Sequence, residues 1–171
     1  MLKNMDHQIQ RFEALTTNEL RTMAEQNPDD LLIGDWKRIL TPSEFKITRL
    51  KDTERAFSSP LNYVRDDGVF ACKGCKNNLF EMNTKYDSGT GWPSFYKPVD
   101  ETTAITTVLD YGIGWWASWA SWFSWIVGKP RVEVICFRCK AHLGHVFEDG
   151  PKPTGNRYCI NGSAMDFNKR P

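Results

Sequence analysis

Val132-Glu133-Val134-Ile135-Cys136-Phe137-Arg138-Cys139-Lys140-Ala141-His142-Leu143-Gly144-His145-Val146-Phe147 decides how the chain is read. Two short runs of β-branched and aromatic residues flank a Cys-x-x-Cys turn. A matching turn lies upstream, Cys72-Lys73-Gly74-Cys75, preceded by Val69-Phe70-Ala71. Such a turn aims two sulfurs at one point, and two turns complete a tetrahedral S4 set that suits zinc. Gly74 permits the tight turn. With four sulfur ligands no coordination position stays open, so the expected role of one Zn2+ on Cys72, Cys75, Cys136 and Cys139 is structural. The alternative is a redox-active Cys-x-x-Cys; two such pairs in a β-rich setting favour zinc. Lys73, Lys76, Arg138 and Lys140 are placed to offset the negative charge of the centre.

Outward from this stretch, Leu79-Phe80-Glu81-Met82, Ala104-Ile105-Thr106-Thr107-Val108 and Tyr158-Cys159-Ile160 read as further strands. Turn clusters such as Asp66-Asp67-Gly68 and Asp149-Gly150-Pro151 separate them. The C-terminal two thirds is therefore expected to be mainly antiparallel β. Upstream, Thr16-Thr17-Asn18-Glu19 fits a capping box, with its helix ending before Asn27-Pro28. Thr41-Pro42-Ser43-Glu44 repeats the signal, with a helix from Pro42 to about Arg49. Both helices read as packing elements, and no chemistry is expected in residues 1–60.

Composition narrows the class. A chain of 171 residues, 40% hydrophobic and 25% charged, fits one soluble domain with a real core. A formal net charge of +1 supplies no basic face for nucleic acid. Met1 to Arg21 lacks the apolar core of a signal peptide and carries Asp6, Glu13 and Glu19, which speaks against a transit peptide. Cys-x-x-Cys pairs without a secretory signal point to a reducing compartment. The expected location is cytoplasmic, with an organelle left open.

Of five cysteines, Cys159 is the one left over, in Arg157-Tyr158-Cys159-Ile160-Asn161. On a strand, Arg157, Cys159 and Asn161 share a face. A cation and an amide beside a thiol favour thiolate and can position a polar atom. Taken alone, a leftover cysteine is more often a buried core residue. Two of the three histidines, His142 and His145, stand just after the second Cys-x-x-Cys pair. The metal does not need them, so they are available as acids or donors near neutral pH. Gly89-Thr90-Gly91-Trp92-Pro93-Ser94-Phe95 is a rigid turn presenting Trp92, either as a core ring or as one wall of an apolar pocket.

Gly112 to Gly128 holds five of the seven tryptophans and no charge. Seventeen uncharged residues is the lower limit for a membrane span, and tryptophan prefers the interface. The favoured reading is an aromatic hairpin or helix packed on the domain. An interfacial anchor, or a surface for apolar protein segments, is the less favoured use.

Together these motifs resemble the methionine sulfoxide reductase B family, the peptide-methionine (R)-S-oxide reductases. The resemblance is carried by the paired Cys-x-x-Cys turns, Gly89 to Phe95, His142 to Phe147, Asp149-Gly150-Pro151 and Arg157 to Asn161, and covers roughly residues 34–168. Leu40-Thr41-Pro42 and Thr53 to Phe57 look familial too. It implies a mainly β fold of two antiparallel sheets, short N-terminal helices and a structural zinc. Residues 1–33 would be a helical extension and 34–171 a single reductase domain, with a Trp-rich insertion at about 112–129. It implies thiol-dependent reduction of methionine-R-sulfoxide in proteins, through a Cys159 sulfenic acid. His145 would be the acid for the sulfoxide oxygen, and His142 would help bind it directly or through water. Arg157 would favour the thiolate, Asn161 would fix the site, and Asp149 would orient His145 or Arg157. Trp92, with Phe147, would receive the substrate. Oxidised proteins are the implied substrates and thioredoxin the reductant, with glutaredoxin and glutathione as the alternative.

The chain departs from the family at two places. Thr90 stands where many members carry a resolving cysteine, which leaves a one-cysteine cycle. The Trp-rich stretch stands where members have a much shorter connection. A non-enzymatic zinc module with the tryptophans as contact surface is the competing class. It leaves Cys159, Arg157 and both motif histidines without roles.

Overall fold

A computed structural model describes residues 15–110 and 130–171. The Trp-rich stretch, for which a packed aromatic element was expected, lies outside the described residues.

Among the described residues three short helices come first: α1 (Thr17–Gln26), α2 (Ile33–Ile39) and α3 (Pro42–Leu50). Both expected capping boxes form. The Thr16 hydroxyl accepts from the Glu19 amide at 3.3 Å, and the Glu19 carboxylate accepts from the Thr16 amide at 2.6 Å. Thr41 and Glu44 repeat this around Pro42 at the first helical position. α2 was not expected. Leu32 holds its cap position and supplies no side-chain acceptor, so only Asp35 reaches back, to the Leu32 amide at 2.9 Å.

Nine strands follow among the described residues: β1 (Gly68–Cys72), β2 (Asn78–Glu81), β3 (Lys85–Tyr86), β4 (Ser94–Phe95), β5 (Ile105–Asp110), β6 (Arg131–Cys136), β7 (His142–Phe147), β8 (Arg157–Ile160) and β9 (Met165–Lys169). They make two antiparallel sheets, as expected. One has the order β2-β1-β9 and the other β3-β4-β8-β7-β6-β5. Every run read as β falls on a strand. β3, β4 and β9 were not foreseen.

The core lies between the sheets. Phe80 stacks on Phe95 with ring centroids 4.3 Å apart, and Phe70 meets Phe95 edge-on at 4.9 Å. Leu20 and Ala24 of α1 and Trp36 of α2 belong to the same buried cluster.

The two Cys-x-x-Cys turns are built alike. The Cys72 amide donates to Asn77 and the Lys76 amide to Cys72; the Cys136 amide donates to Ala141 and the Lys140 amide to Cys136. Lys76 and Lys140, equivalent in the two turns, both take the left-handed conformation, at φ 58° and 57°. The first turn joins β1 to β2 and the second joins β6 to β7. The cluster therefore sits where the two sheets meet.

Candidate active site

Strand register places the central pair. Residues directly opposed across an antiparallel ladder point to the same face. Cys159 on β8 is opposed to His145 on β7 and to Ser94 on β4, and His145 is opposed to Glu133 on β6. Ser94, Cys159, His145 and Glu133 thus form one row across four strands. Phe147 and Arg157, also opposed, lie one step along on the same face.

A spacing of three would put His142 and His145 on opposite faces of a regular strand. The register shifts, however: Gly144 opposes Val134 while His142 opposes Ile135, so Leu143 is an extra residue. This bulge returns His142 to the face of His145, and the rings meet edge-on at 5.5 Å. Gly144 is required beside the bulge, because a Cβ there would lie 2.1 Å from the Cys159 carbonyl oxygen.

Each histidine is held by a carboxylate that local pattern did not reveal. His142 Nδ1 lies 2.7 Å from Glu133 Oε1, and Glu133 Oε2 lies 2.7 Å from Lys51 Nζ. Glu133 is only 3% exposed. Burial alone would raise its carboxyl, but Lys51 and His142 hold it below the usual range. An ionised Glu133 only accepts, so Nδ1 carries the proton. In the neutral ring Nε2 then keeps its lone pair, and this buried atom has no hydrogen-bond partner among the described residues. Burial, opposed by Glu133, pushes the His142 ring toward the neutral form. A neutral His142 can therefore only accept at Nε2. Direct donation needs the imidazolium.

His145 Nε2 lies 2.9 Å from Asp110 Oδ2, and Arg131 meets the same oxygen at 3.0 Å. Among the described residues, His145 Nδ1 makes no hydrogen bond.

Arg157 is claimed by Asp149 through two parallel bonds, Nε to Oδ1 at 2.8 Å and a terminal nitrogen to Oδ2 at 2.9 Å. Its guanidinium lies over the Phe147 ring at 4.5 Å. Asp149 therefore orients Arg157, one of the two expected options. Cys159 is partly exposed. Burial pushes its thiol up, while the Thr90 hydroxyl and the Arg157 charge pull it down and Asp149 opposes them. Burial outweighs the two, and the thiol sits above the ordinary cysteine range.

Asn161 lies beyond the end of β8 and turns inward. Its amide and its side-chain nitrogen both donate to the Leu143 carbonyl, at 2.8 and 3.0 Å. Its side-chain oxygen accepts from the Glu54 amide at 3.1 Å. Asn161 thus ties the bulge to the end of the cysteine strand and makes no hydrogen bond to Cys159. Trp92 is half-buried, its indole N–H donating to the Glu54 carbonyl at 3.1 Å. The Glu54 carboxylate accepts from the amides of Gly162 and Ser163, at 2.6 and 2.8 Å. Residues 1–60 are therefore not mere packing: Lys51 and Glu54 brace the site.

The four remaining cysteines converge. Their sulfurs lie within 4.8 Å of one another, with Cys72 to Cys139 and Cys75 to Cys136 both at 3.6 Å, and all four are buried. A tetrahedral Zn–S4 centre needs sulfurs roughly 3.8 Å apart, so the set fits a metal ion. The Asn77 amide reaches Cys136 Sγ at 3.9 Å. The expected surface cations are mostly engaged elsewhere: Lys73 and Lys76 pair with Asp166, and Arg138 donates to the Glu25 carbonyl. Arg49, which local reading passed over, stacks on Trp36 at 3.6 Å and donates to the Cys139 carbonyl at 2.7 Å. It supplies the buried cation beside the sulfurs.

The sequence is similar to those of known proteins. The SelR domain model matches residues 40–118 and 123–169. Peptide methionine sulfoxide reductase MsrB of Methanosarcina mazei is 44% identical over 144 residues, 84% of this chain and 92% of that protein. The protein of the same name from Pseudomonas syringae is 45% identical over 135 residues, 79% of this chain and 92% of that one. Peptide methionine sulfoxide reductase B1, chloroplastic, of Arabidopsis thaliana is 46% identical over 135 residues, 79% of this chain; the chain spans 59% of that protein's length.

Proposed function

The chain belongs to the methionine sulfoxide reductase B family, and from that premise we propose that it reduces methionine-R-sulfoxide residues in proteins to methionine, with Cys159 as nucleophile. The observation that carries the reading is the register that sets Cys159 opposite His145 on one half-open face. The Cys159 thiolate attacks the sulfoxide sulfur while the oxygen takes a proton. The attack forms a bond between the two sulfurs; the hydroxyl then passes to the Cys159 sulfur as that bond and the methionine S–O bond break, leaving a Cys159 sulfenic acid and methionine. The methionine sulfur gains two electrons and the cysteine sulfur loses them.

His145, as the imidazolium, gives the proton from Nδ1, the nitrogen Asp110 does not hold. His142, fixed by Glu133, binds the oxygen through water. Arg157, locked by Asp149 over Phe147, places positive charge near the thiolate. Trp92 receives the sulfoxide methyl and selects the R epimer. Asn161 holds the strand end in place.

Thr90 brings a hydroxyl, not a thiol, to 4.0 Å from Cys159 Sγ. The other four cysteines are committed to the buried cluster. An external thiol therefore attacks the sulfenic acid, water leaves, and a second thiol releases Cys159. Thioredoxin is the reductant this reading favours, with glutaredoxin and glutathione second. Cys72, Cys75, Cys136 and Cys139 would hold one Zn2+, which would join the sheets in a structural role. Two Cys-x-x-Cys pairs suit a reducing compartment, and the cytoplasm is the location this reading favours. Among the described residues no helix is long and apolar enough to cross a membrane.

Turnover of both epimers of dabsyl-methionine sulfoxide with a thioredoxin system tests the reading. The R epimer should be consumed, and Cys159→Ser should abolish this with metal content and folding unchanged. Dimedone should trap a single adduct on Cys159 after substrate without reductant. Turnover that survives in Cys159→Ser would refute the assignment.

A further inference from the structure

Three hydroxyls stand in line behind the nucleophile. Thr90 Oγ1 lies 4.0 Å from Cys159 Sγ, Ser88 Oγ lies 2.8 Å from Thr90 Oγ1, and Ser94 Oγ lies 2.7 Å from Ser88 Oγ. The line ends at the Trp92 carbonyl, 3.1 Å from Ser94 Oγ. The turn that carries it is held in place. Asp87 accepts from the Gly89 amide at 2.9 Å, and Gly89 and Gly91 take φ of 71° and 90°. Ser94 is fixed opposite Cys159 by strand register.

Each hydroxyl has one proton and can both donate and accept. With the thiol, four protons serve the four contacts; with the thiolate only three remain, so the reversed arrangement gives up the Ser94 bond to the Trp92 carbonyl. In the first, Cys159 S–H donates to Thr90, Thr90 to Ser88, Ser88 to Ser94, and Ser94 to the Trp92 carbonyl. In the second, Ser94 donates to Ser88, Ser88 to Thr90, and Thr90 to the sulfur. The first fits the thiol, which has a proton to give; the second fits the thiolate, which only accepts.

We propose that Thr90, Ser88 and Ser94 form a hydroxyl relay whose polarity reverses with the charge on Cys159, and that Thr90 is a further catalytic residue donating to the thiolate. No proton travels along the relay. The Cys159 proton leaves to the medium, and each hydroxyl keeps its own proton and rotates about its C–O bond. Hydrogen bonds in a chain polarise one another, so the two serines strengthen the donation from Thr90 as positioning residues. The relay offers the thiolate a stabilising partner besides Arg157, in a site where burial opposes charge. The charged and titratable groups that also face Cys159 are Arg157 on its own strand, His145 on β7, Asp149 on the loop beyond it and Tyr86 on β3.

The inference rests on Cys159 as nucleophile. It is tested without turnover, so its failure is separable from failure of the reductase reading. The rate of Cys159 alkylation by iodoacetamide is followed against pH in the full reduced chain, by mass spectrometry of the Cys159 peptide. Thr90→Val should raise the midpoint by about half a unit to one unit, a roughly three- to tenfold loss of thiolate below the midpoint. Thr90→Ser should keep the wild-type midpoint. Ser88→Ala should shift it the same way by less. If Thr90→Val does not give wild-type circular dichroism, Thr90→Ala takes its place. An unmoved midpoint in the Thr90 variant overturns the proposal. So does a shift that serine fails to rescue, or a Ser88→Ala profile equal to wild type, which would leave Thr90 acting without a relay.

Discussion

Glu133 does its work by accepting. Between Lys51 and His142 it is a buried carboxylate with an ionic partner on one oxygen and an imidazole N–H on the other. Glutamine has the same shape but no charge, and its amide nitrogen donates. In Glu133→Gln the partner of His142 Nδ1 is neutral, and one amide orientation offers it a donor. The ring then loses its reason to keep the proton on Nδ1, and Nε2–H becomes populated. A charge-assisted hydrogen bond contributes roughly 1.5–3 kcal/mol, so kcat/KM should fall by about one to two orders of magnitude. Nitrogen-15 spectra of histidine-labelled protein separate this from general damage: His142 should move from the Nδ1–H to the Nε2–H pattern with the other ring signals unchanged. Unchanged spectra with normal turnover would remove Glu133 from the mechanism. None of this was legible locally. In Val132-Glu133-Val134 a charge at alternating spacing reads as solvent-facing. It is inside because Lys51, 82 residues away in sequence, covers it.

At the scale of elements, the site depends on an irregularity in β7. The motif His142-Leu143-Gly144-His145 was legible, and so was its strand. The shared face of its histidines was not, because a bulge is a property of pairing between two strands, and a single strand's sequence carries only its alternation. The bulge also explains why Gly144 is glycine: β8 passes so close that a methyl group meets the Cys159 carbonyl. Gly144→Ala must push β8 away or undo the bulge. Overpacking against backbone costs about 1–3 kcal/mol or more, so the urea midpoint should drop and alkylation of Cys159 should change with it. Ala141→Gly, in the turn before the bulge, is the contrasting variant. It deletes one buried methyl and leaves the β7–β8 spacing alone, so some stability should be lost while the reactivity of Cys159 is kept. Equal effects of the two on Cys159 would mean that the close approach is not what sets its position. The helices were more legible than the strands where their caps were. α1 and α3 carry Thr and Glu at the box positions, whereas α2 starts at Leu32 and announces nothing.

At the scale of the molecule, the four-cysteine cluster spans the two sheets, whereas Cys159 lies within one of them. The Cys-x-x-Cys spacing made the cluster legible, because ligand geometry is written within four residues. Its consequence was not, because only the fold shows that one turn belongs to the β2-β1-β9 sheet and the other to the six-stranded sheet. A bound metal therefore closes the interface between the sheets, with Arg49 over Trp36 sealing one side. Structural zinc sites contribute roughly 10–16 kcal/mol of apparent binding free energy, comparable to or above the whole stability of a domain, about 5–15 kcal/mol. Cys136→Ser should lose the metal, and with it the sheet contact, cooperative unfolding and activity together. Cys159→Ser should lose activity alone, with wild-type metal content and melting temperature. Arg49→Met sits between them: the fold persists, but the sulfurs lose their buried cation, so a chelating dye should extract the metal faster than from wild type. The measurement is metal release against time for the three variants, beside thermal melts. If Cys136→Ser melts like wild type, the sheets are held by Phe70, Phe80 and Phe95 without the metal's help, and the cluster is an ornament of the fold. If Arg49→Met releases metal no faster, the guanidinium serves Trp36 and the Cys139 carbonyl only.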